Sequence, residues 1–216
     1  MLKRVIITGG TGGLGKSITE QFKTAGWEVY ALSRNDLDLS SESAIHTFFS
    51  VHDCNLLICA AGMIRDQPLA KIDESTWDEI IEINFTAAKK CAVAAIPAMI
   101  NKGAGHVVFI SSYAANHPTI GQAAYATAKA AMLGLTKDLA LRHGSNNIRV
   151  NAILPGFMET HMTENVSAKR KQEVRELHAM GKFNTPEIVA EFIRFLEERM
   201  PHTSGQVFQL DSRSPF

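Results

Sequence analysis

The chain has no excess of charge of either sign. Its 216 residues carry 22 Lys+Arg against 22 Asp+Glu, a formal net charge of zero. That removes any global electrostatic case for nucleic acid, so no nucleic-acid partner is expected. Cysteine is scarce as well. Cys54, Cys59 and Cys91 are an odd set with no CxxC pair. They do not make a disulfide framework or a thiolate metal site, and they suit a reducing compartment. No metal is expected. Apolar runs stay short of the ~18 residues a membrane span needs. The N-terminal Met1-Leu2-Lys3-Arg4 leads into a strand pattern rather than the apolar core of a secretory signal. The reading is therefore no membrane and a cytoplasmic location. Internal repeats, low-complexity tracts and linkers are lacking too. What remains is ordinary globular composition, 45% hydrophobic and 20% charged. One α/β domain over residues 1–216, large enough to bury its own core, is the default.

The most informative stretch is Thr8-Gly9-Gly10-Thr11-Gly12-Gly13-Leu14-Gly15. It joins an apolar run, Val5-Ile6-Ile7, to a helix-like run, Leu14 to Ala25. A strand turning through glycines into a helix can hold a phosphate. Glycine lets the backbone approach the ligand, and the first N–H groups of the helix, unpaired within it, face the negative charge.

Hydrophobic periodicity predicts strands at 3–8, 28–32, 55–60, 105–111, 148–154 and 206–210, with a very short further strand at 36–39. Helices are predicted at 14–25, from about 40 to 51, 75–100, 123–142 and 186–199. Gly26 is placed to stop the first, Pro97 to bend or end the third, and Thr185-Pro186 to start the last. This alternation predicts a single-domain Rossmann fold: a doubly wound parallel sheet of about seven strands with helices on both faces. The polar, Met-rich stretch 157–182 reads as a solvated helix face, as a substrate lid, or as both.

Ligands of such sheets sit beyond the carboxyl ends of the strands. Small residues, Ala60-Ala61-Gly62, follow the strand at 55–60, and hydroxyls, Ser111-Ser112-Tyr113, follow that at 105–111. Tyr125 and Lys129 are four apart, on one face of the next helix. An ammonium beside a phenol of ordinary pKa ~10 is expected to lower it toward proton transfer at neutral pH.

These features together resemble the short-chain dehydrogenase/reductase family, and within it the 3-oxoacyl-(acyl-carrier-protein) reductases. The Gly9-x-x-x-Gly13-x-Gly15 spacing, Asn84 in Glu82-Ile83-Asn84-Phe85, Ser112 thirteen residues before Tyr125, Tyr125-Ala-Thr-Ala-Lys129 and Pro155-Gly156-Phe157-Met158-Glu159-Thr160 carry the resemblance. So does Gly62-Met63-Ile64-Arg65-Asp66. The resemblance implies an NADPH-dependent ketone reductase. Asn84, Ser112, Tyr125 and Lys129 would be catalytic: Ser112 steadies the carbonyl, Tyr125 gives the proton, Lys129 holds the ribose and lowers the phenol pKa, and Asn84 fixes a water behind Lys129. Gly9, Thr11, Gly12, Gly13, Leu14, Gly15, Arg34, Asp38, Leu39, Ala60, Gly62, Tyr125, Lys129, Pro155, Met158 and Thr160 would bind the cofactor.

Cofactor choice is read from the end of the strand at 28–32. Arg34 beside Ser33 suits a 2′-phosphate, favouring NADP(H). Asp36 is close enough to supply an acid for the ribose diol, leaving NAD(H) possible. The substrate implied is a small-molecule ketone or acyl thioester, 3-oxoacyl or polyketide-like. The same machinery run backwards would be an NAD(P)-dependent alcohol dehydrogenase, and without chemistry a dinucleotide-binding regulator. A homodimer or homotetramer is expected. The chain departs from the family in four places. It is shorter between the second strand and Asp38, which leaves one sheet edge barer. Cys59-Ala60-Ala61-Gly62 lacks the family's paired asparagines. Gly103 and Asn146 stand where the fatty-acid reductases carry carrier-docking arginines, with Lys102 nearby. The chain ends Asp211-Ser212-Arg213-Ser214-Pro215-Phe216 instead of Asp-Gly-Gly.

Overall fold

A computed structural model describes residues 2–213. Met1, and Ser214, Pro215 and Phe216 of the divergent C-terminus, lie outside the described residues. The chain alternates strand and helix: β1 (Arg4–Thr8), α1 (Gly13–Thr24), β2 (Glu28–Leu32), α2 (Glu42–Val51), β3 (Leu56–Cys59), α3 (Glu74–Ile81), α4 (Ala87–Asn101), β4 (Gly105–Ile110), α5 (Ala123–His143), β5 (Ile148–Leu154), α6 (Ala168–Glu176), α7 (Pro186–Arg199) and β6 (Val207–Gln209). The described strands form one six-stranded parallel sheet in the order β2-β1-β3-β4-β5-β6. β1 and β3 are neighbours, and the strand order reverses between them. That makes a topological switch point, where a crevice opens at the carboxyl ends.

Period-two alternation divides the core between the two faces of the sheet. Ile6, Leu57, Val107, Phe109 and Val150 pack with Ile45, Phe49, Cys91, Met99, Met132 and Leu139 from α2, α4 and α5. Val5, Ile7, Ile58, Val108 and Ile153 pack with Ile18, Phe22, Val189, Ile193 and Leu196 from α1 and α7. Helix starts follow the capping chemistry in the sequence. Ser41 accepts from the Ala44 N–H, Asp73 from Thr76 and Thr185 from Ile188, with Pro186 opening α7. Gly26, at φ +80°, ends α1.

Three expectations need correction. Residues 36–39 are not a strand, so the sheet has six strands rather than about seven. Asp36 and Asp38 accept from the backbone N–H groups of Ser33 and Ser40, at 2.8 and 2.9 Å, and those local bonds hold the chain in turns. β2 is therefore the edge strand. It is guarded by charge: Glu28 on β2 pairs with Arg4 at 2.9 Å, and Arg4 reaches Asp53 at 2.6 Å. Second, Pro97 does not end its helix, which continues to Asn101. Third, the predicted helix 75–100 is α3 and α4 joined by a π-helical turn, Glu82–Thr86. The stretch Glu74–Asn101 is long and apolar enough to span a membrane by length and composition alone. Its apolar residues Ala88, Cys91, Ala92, Ala95, Ile96 and Met99 are buried on the sheet, as in a core helix.

Candidate active site

The carboxyl ends of the strands open into a cavity of about 1990 Å³. At its floor the glycine turn is packed too closely for side chains. Gly9 has φ +67°, and a Cβ there would lie 2.8 Å from the Ala61 backbone. At Gly15 it would lie 2.0 Å from the Gly9 carbonyl oxygen. The turn closes on itself through Gly12 N–H to Gly9 O, at 3.0 Å. Cys59 and Ala60 stand where the resemblance would put the paired asparagines; here the Ala60 N–H donates to Thr8 O at 3.1 Å and the Ala61 N–H to the Thr8 hydroxyl at 3.4 Å. Gly9, Thr11, Gly12, Gly13, Leu14, Gly15, Ala60 and Gly62 all line the cavity. A glycine cradle leading into a helix N-terminus, at the switch point of a parallel sheet, fits the diphosphate of a dinucleotide.

At the β2 end, Ser33, Arg34, Asp38 and Leu39 line the cavity. Asp36 is engaged elsewhere. Its Oδ2 accepts from the N–H of Ser33 at 2.8 Å and from its hydroxyl at 2.5 Å, and these bonds hold its carboxyl below the usual range. The guanidinium of Arg34 is exposed at this end.

Ser112, Tyr125 and Lys129 meet on the far side of the same cavity. Ser112 follows β4, and its hydroxyl hydrogen-bonds Tyr125 from α5. Lys129, one turn on, is 4% exposed. Its Nζ donates to the Ile110 carbonyl at 3.0 Å and lies 5.6 Å from the Tyr125 ring centroid. Burial pushes Lys129 down to about 8. Burial raises the Tyr125 phenol, against the pull of the Ser112 hydrogen bond. The expected lowering of the phenol by Lys129 is thus not found here: desolvation outweighs an ammonium turned toward a backbone carbonyl.

Asn84 sits in the π-turn and is fully buried. Its Oδ1 accepts from the Met63 N–H at 3.2 Å, while Nδ2 donates to the Met63 and Ile80 carbonyls, both at 2.9 Å. It therefore clamps the loop after β3. A Cβ on Gly62 would stand 2.9 Å from Asn84 Oδ1 and 3.6 Å from Lys129 Nζ, so the two side chains meet over that glycine. No sequence signal announced the extra residue of the π-turn.

Pro155, Met158 and Thr160 form the opposite rim. Thr160 lies against the glycine turn, where a Cβ on Gly13 would come within 2.8 Å of it. Beyond it, Val166, Ser167, Arg170 and Val174 cover the outer part of the cavity, with Val174 of α6 buried. Facing them, Gln122 donates to both oxygens of Asp66, at 3.3 and 3.2 Å. Among the lining residues to which sequence reading gave no site role is Arg213 in the C-terminal tail. Its only signal was the departure from Asp-Gly-Gly. Lys102, beside Gly103, pairs with Asp53 at 2.8 Å.

The fold and crevice define a Rossmann-type dinucleotide-binding enzyme. A profile of the short chain dehydrogenase family matches residues 38–171, and the chain belongs to that family of oxidoreductases. It is 32% identical to a 3-oxoacyl-(acyl-carrier-protein) reductase of Aquifex aeolicus, over 96% of this chain and 85% of that protein. With the enzyme of the same name from Thermotoga maritima it shares 30%, over 97% and 96%. Two solved structures are similar throughout. One, from Beutenbergia cavernae, has NADP bound at low occupancy and is provisionally described as an NAD(P)-dependent gluconate 5-dehydrogenase; its TM-score is 0.93 at 25% identity, over 97% of this chain and 95% of that one. The other is the ligand-free aldohexose dehydrogenase of Thermoplasma acidophilum, with TM-score 0.90 at 26% identity, over 98% and 93%.

Proposed function

We propose that the protein is an NADPH-dependent ketoreductase that turns a ketone into a secondary alcohol, on a 3-oxoacyl thioester or a polyketide-like ketone. The observation that supports this most is the convergence of Ser112, Tyr125 and Lys129 with the glycine turn on one cavity. Gly9 to Gly15, Ala60 and Gly62 would hold the diphosphate and inner ribose. Asp38 and Leu39 would border the adenine, and Pro155, Met158 and Thr160 the nicotinamide. Arg34 with Ser33 favours a 2′-phosphate, and the inward bonding of Asp36 removes the acid that would favour a ribose diol. When bound, the reduced nicotinamide supplies hydride.

The residues of the chain do the rest. Ser112 orients the carbonyl oxygen. Tyr125, kept protonated at neutral pH by burial, holds the proton that this oxygen takes. Lys129 places positive charge beneath the phenol as the negative charge of the reaction develops. Asn84 is a positioning residue that holds the loop carrying Gly62. The reverse reaction, alcohol oxidation with the phenolate as base, is the second reading, and the supply of reduced or oxidised cofactor decides between the two. Residues 157–182 would serve as a lid. Val93 and Leu141, exposed on α4 and α5, support a homodimer or homotetramer.

The test is a screen of acetoacetyl thioesters, diketones and quinones, with NADPH and NADH consumption followed by absorbance. Tyr125→Phe is expected to bind NADPH nearly as before and to lose about 10²–10⁴-fold in turnover. Wild-type-like turnover would remove the proton-donor role. Acyl carrier protein is expected to add little over a small thioester, since Gly103 and Asn146 offer it no charge. A large gain would place the docking surface elsewhere.

A further inference from the structure

The established family accounts for the glycine turn and the Ser–Tyr–Lys set, and leaves the C-terminal tail unexplained. There Arg213 lines the same cavity as Ser112 and Tyr125. Its guanidinium carbon lies 3.7 Å from the ring centroid of Tyr113, the residue after Ser112. Tyr113 also stacks with His117, with centroids 4.4 Å apart. The Nε of Arg213 donates to Asp211 Oδ2 at 2.5 Å. Asp211 is fixed in turn: its Oδ1 accepts from Gln209 Nε2 at 2.8 Å, and its side chain occupies the space left by Gly156, where a Cβ would come within 2.7 Å. Behind it, the Ala179 N–H donates to the Ser212 carbonyl at 2.9 Å and the Met180 N–H to the Ser212 hydroxyl at 3.2 Å, anchoring the tail to the segment after α6.

The guanidinium is thus held in a fixed plane, by an aromatic face and by a carboxylate at Nε, at the substrate end of the cavity. A planar fork so held is suited to a second carboxylate or a phosphate, which it can bind through two nitrogens at once. Of the acidic residues that line the same cavity, three near its substrate end are engaged by other side chains. Asp66 is bound by Gln122, Glu79 pairs with Arg65 at 3.0 Å, and Glu82 with Lys90 at 3.1 Å. Besides Arg34 at the β2 end, Arg170 of α6 adds a further guanidinium to the lining, with its NH1 on Glu173 at 3.0 Å.

We propose that Arg213 is a specificity-determining residue, and that the substrate is a ketone carrying an anionic group, a carboxylate or phosphate, which Arg213 receives while the carbonyl faces Ser112 and Tyr125. The proposal rests on the ketoreductase reading of the same site.

The test compares oxo acids of graded chain length with their methyl esters, and with phosphate monoesters of hydroxyketones, in NADPH-dependent reduction. The wild type is expected to favour the anion over the matched ester by at least about tenfold in kcat/KM, chiefly through KM. Arg213→Gln is expected to bring that ratio near one, and Arg213→Lys to retain part of it. The better of carboxylate and phosphate identifies the anion. Equal wild-type efficiency on acid and ester overturns the proposal. So does an equal loss on both in Arg213→Gln, which is what a residue that only anchors the tail would give. If esters and diketones are reduced and no anion is preferred, the ketoreductase reading stands and this one falls. If no ketone is reduced, the reading of the reaction fails. Arg213 is then judged by equilibrium binding of oxo acids and esters to the NADPH complex, where equal affinities in wild type and Arg213→Gln overturn it.

Discussion

Replacing Lys129 by methionine should stabilise the folded protein at neutral pH while destroying its activity. Lys129 is 4% exposed, and burial brings it from an ordinary 10.5 to about 8. The displacement corresponds to a cost on the order of 3 kcal/mol for holding the charge inside the fold. Methionine fills a similar volume without charge, but leaves the Ile110 carbonyl without the donor now 3.0 Å away, a loss of about 1–3 kcal/mol. The two effects nearly offset each other, with a net gain of about 0–2 kcal/mol at pH 7. The pH dependence is the sharper quantity. Below about 8 both folded and unfolded chains carry the proton, and the folded state bears the full cost. Between about 8 and 10.5 the unfolded chain holds a proton that the folded chain has released, so stability attributable to Lys129 climbs with pH. Urea denaturation of both proteins at pH 7, 8.5 and 10, without cofactor, measures this as a difference, and groups common to both cancel. The wild type should gain up to about 3 kcal/mol on Lys129→Met across that range. A flat difference would refute the buried ammonium, and a falling one would reverse its sign.

Gly62→Ala places a Cβ 2.9 Å from Asn84 Oδ1, on a side chain pinned by three hydrogen bonds. It should cost about 1–3 kcal/mol, seen as a lower Tm, and the cost should shrink in an Asn84→Ala background; an unchanged cost would mean that the clash lies elsewhere. Arg34→Ala should raise KM for NADPH at least about tenfold and leave that for NADH nearly unchanged. Equal losses on the two would remove the phosphate argument. His106 on β4 is buried, with Nδ1 donating to Glu197 at 2.9 Å and Nε2 accepting from Asn151 at 3.0 Å, and burial pushes its pKa down. Its contribution is therefore present at neutral pH and lost as pH falls from about 6.5 through the lower folded value. Between pH 7 and pH 5 the wild type should lose more stability than His106→Gln in urea titrations, and an equal loss would contradict the assignment.

The residues that the structure places where the sequence spacing put them share one property: their geometry is local. Gly9, Gly13 and Gly15 are spaced for a single turn, and Tyr125 and Lys129 for a single helical face. Ser41, Asp73 and Thr185 cap helices through atoms three residues away. Such relations survive in any chain that forms the element at all. The extra strand at 36–39 failed for a local reason too, since Asp36 and Asp38 had nearer partners in Ser33 and Ser40 than any neighbouring strand offered.

What the linear order left open depends on groups far apart in it. That Arg34 and not Asp36 lines the cavity follows from the turn at the sheet edge, which bonds Asp36 back to Ser33. The direction in which Tyr125 and Lys129 shift follows from burial, which outweighs the charge of one on the other. Asn84 and Gly62 came together only because a π-turn shifts the helix by one residue against the loop after β3. Arg213 reached a site built around Ser112, a hundred residues earlier, because parallel strands bring their carboxyl ends to one edge of the sheet. Local spacing made the chain a Rossmann fold with Tyr125 and Lys129 on one helical face, and the long-range packing decided how deeply those groups are buried and which other side chains line their cavity.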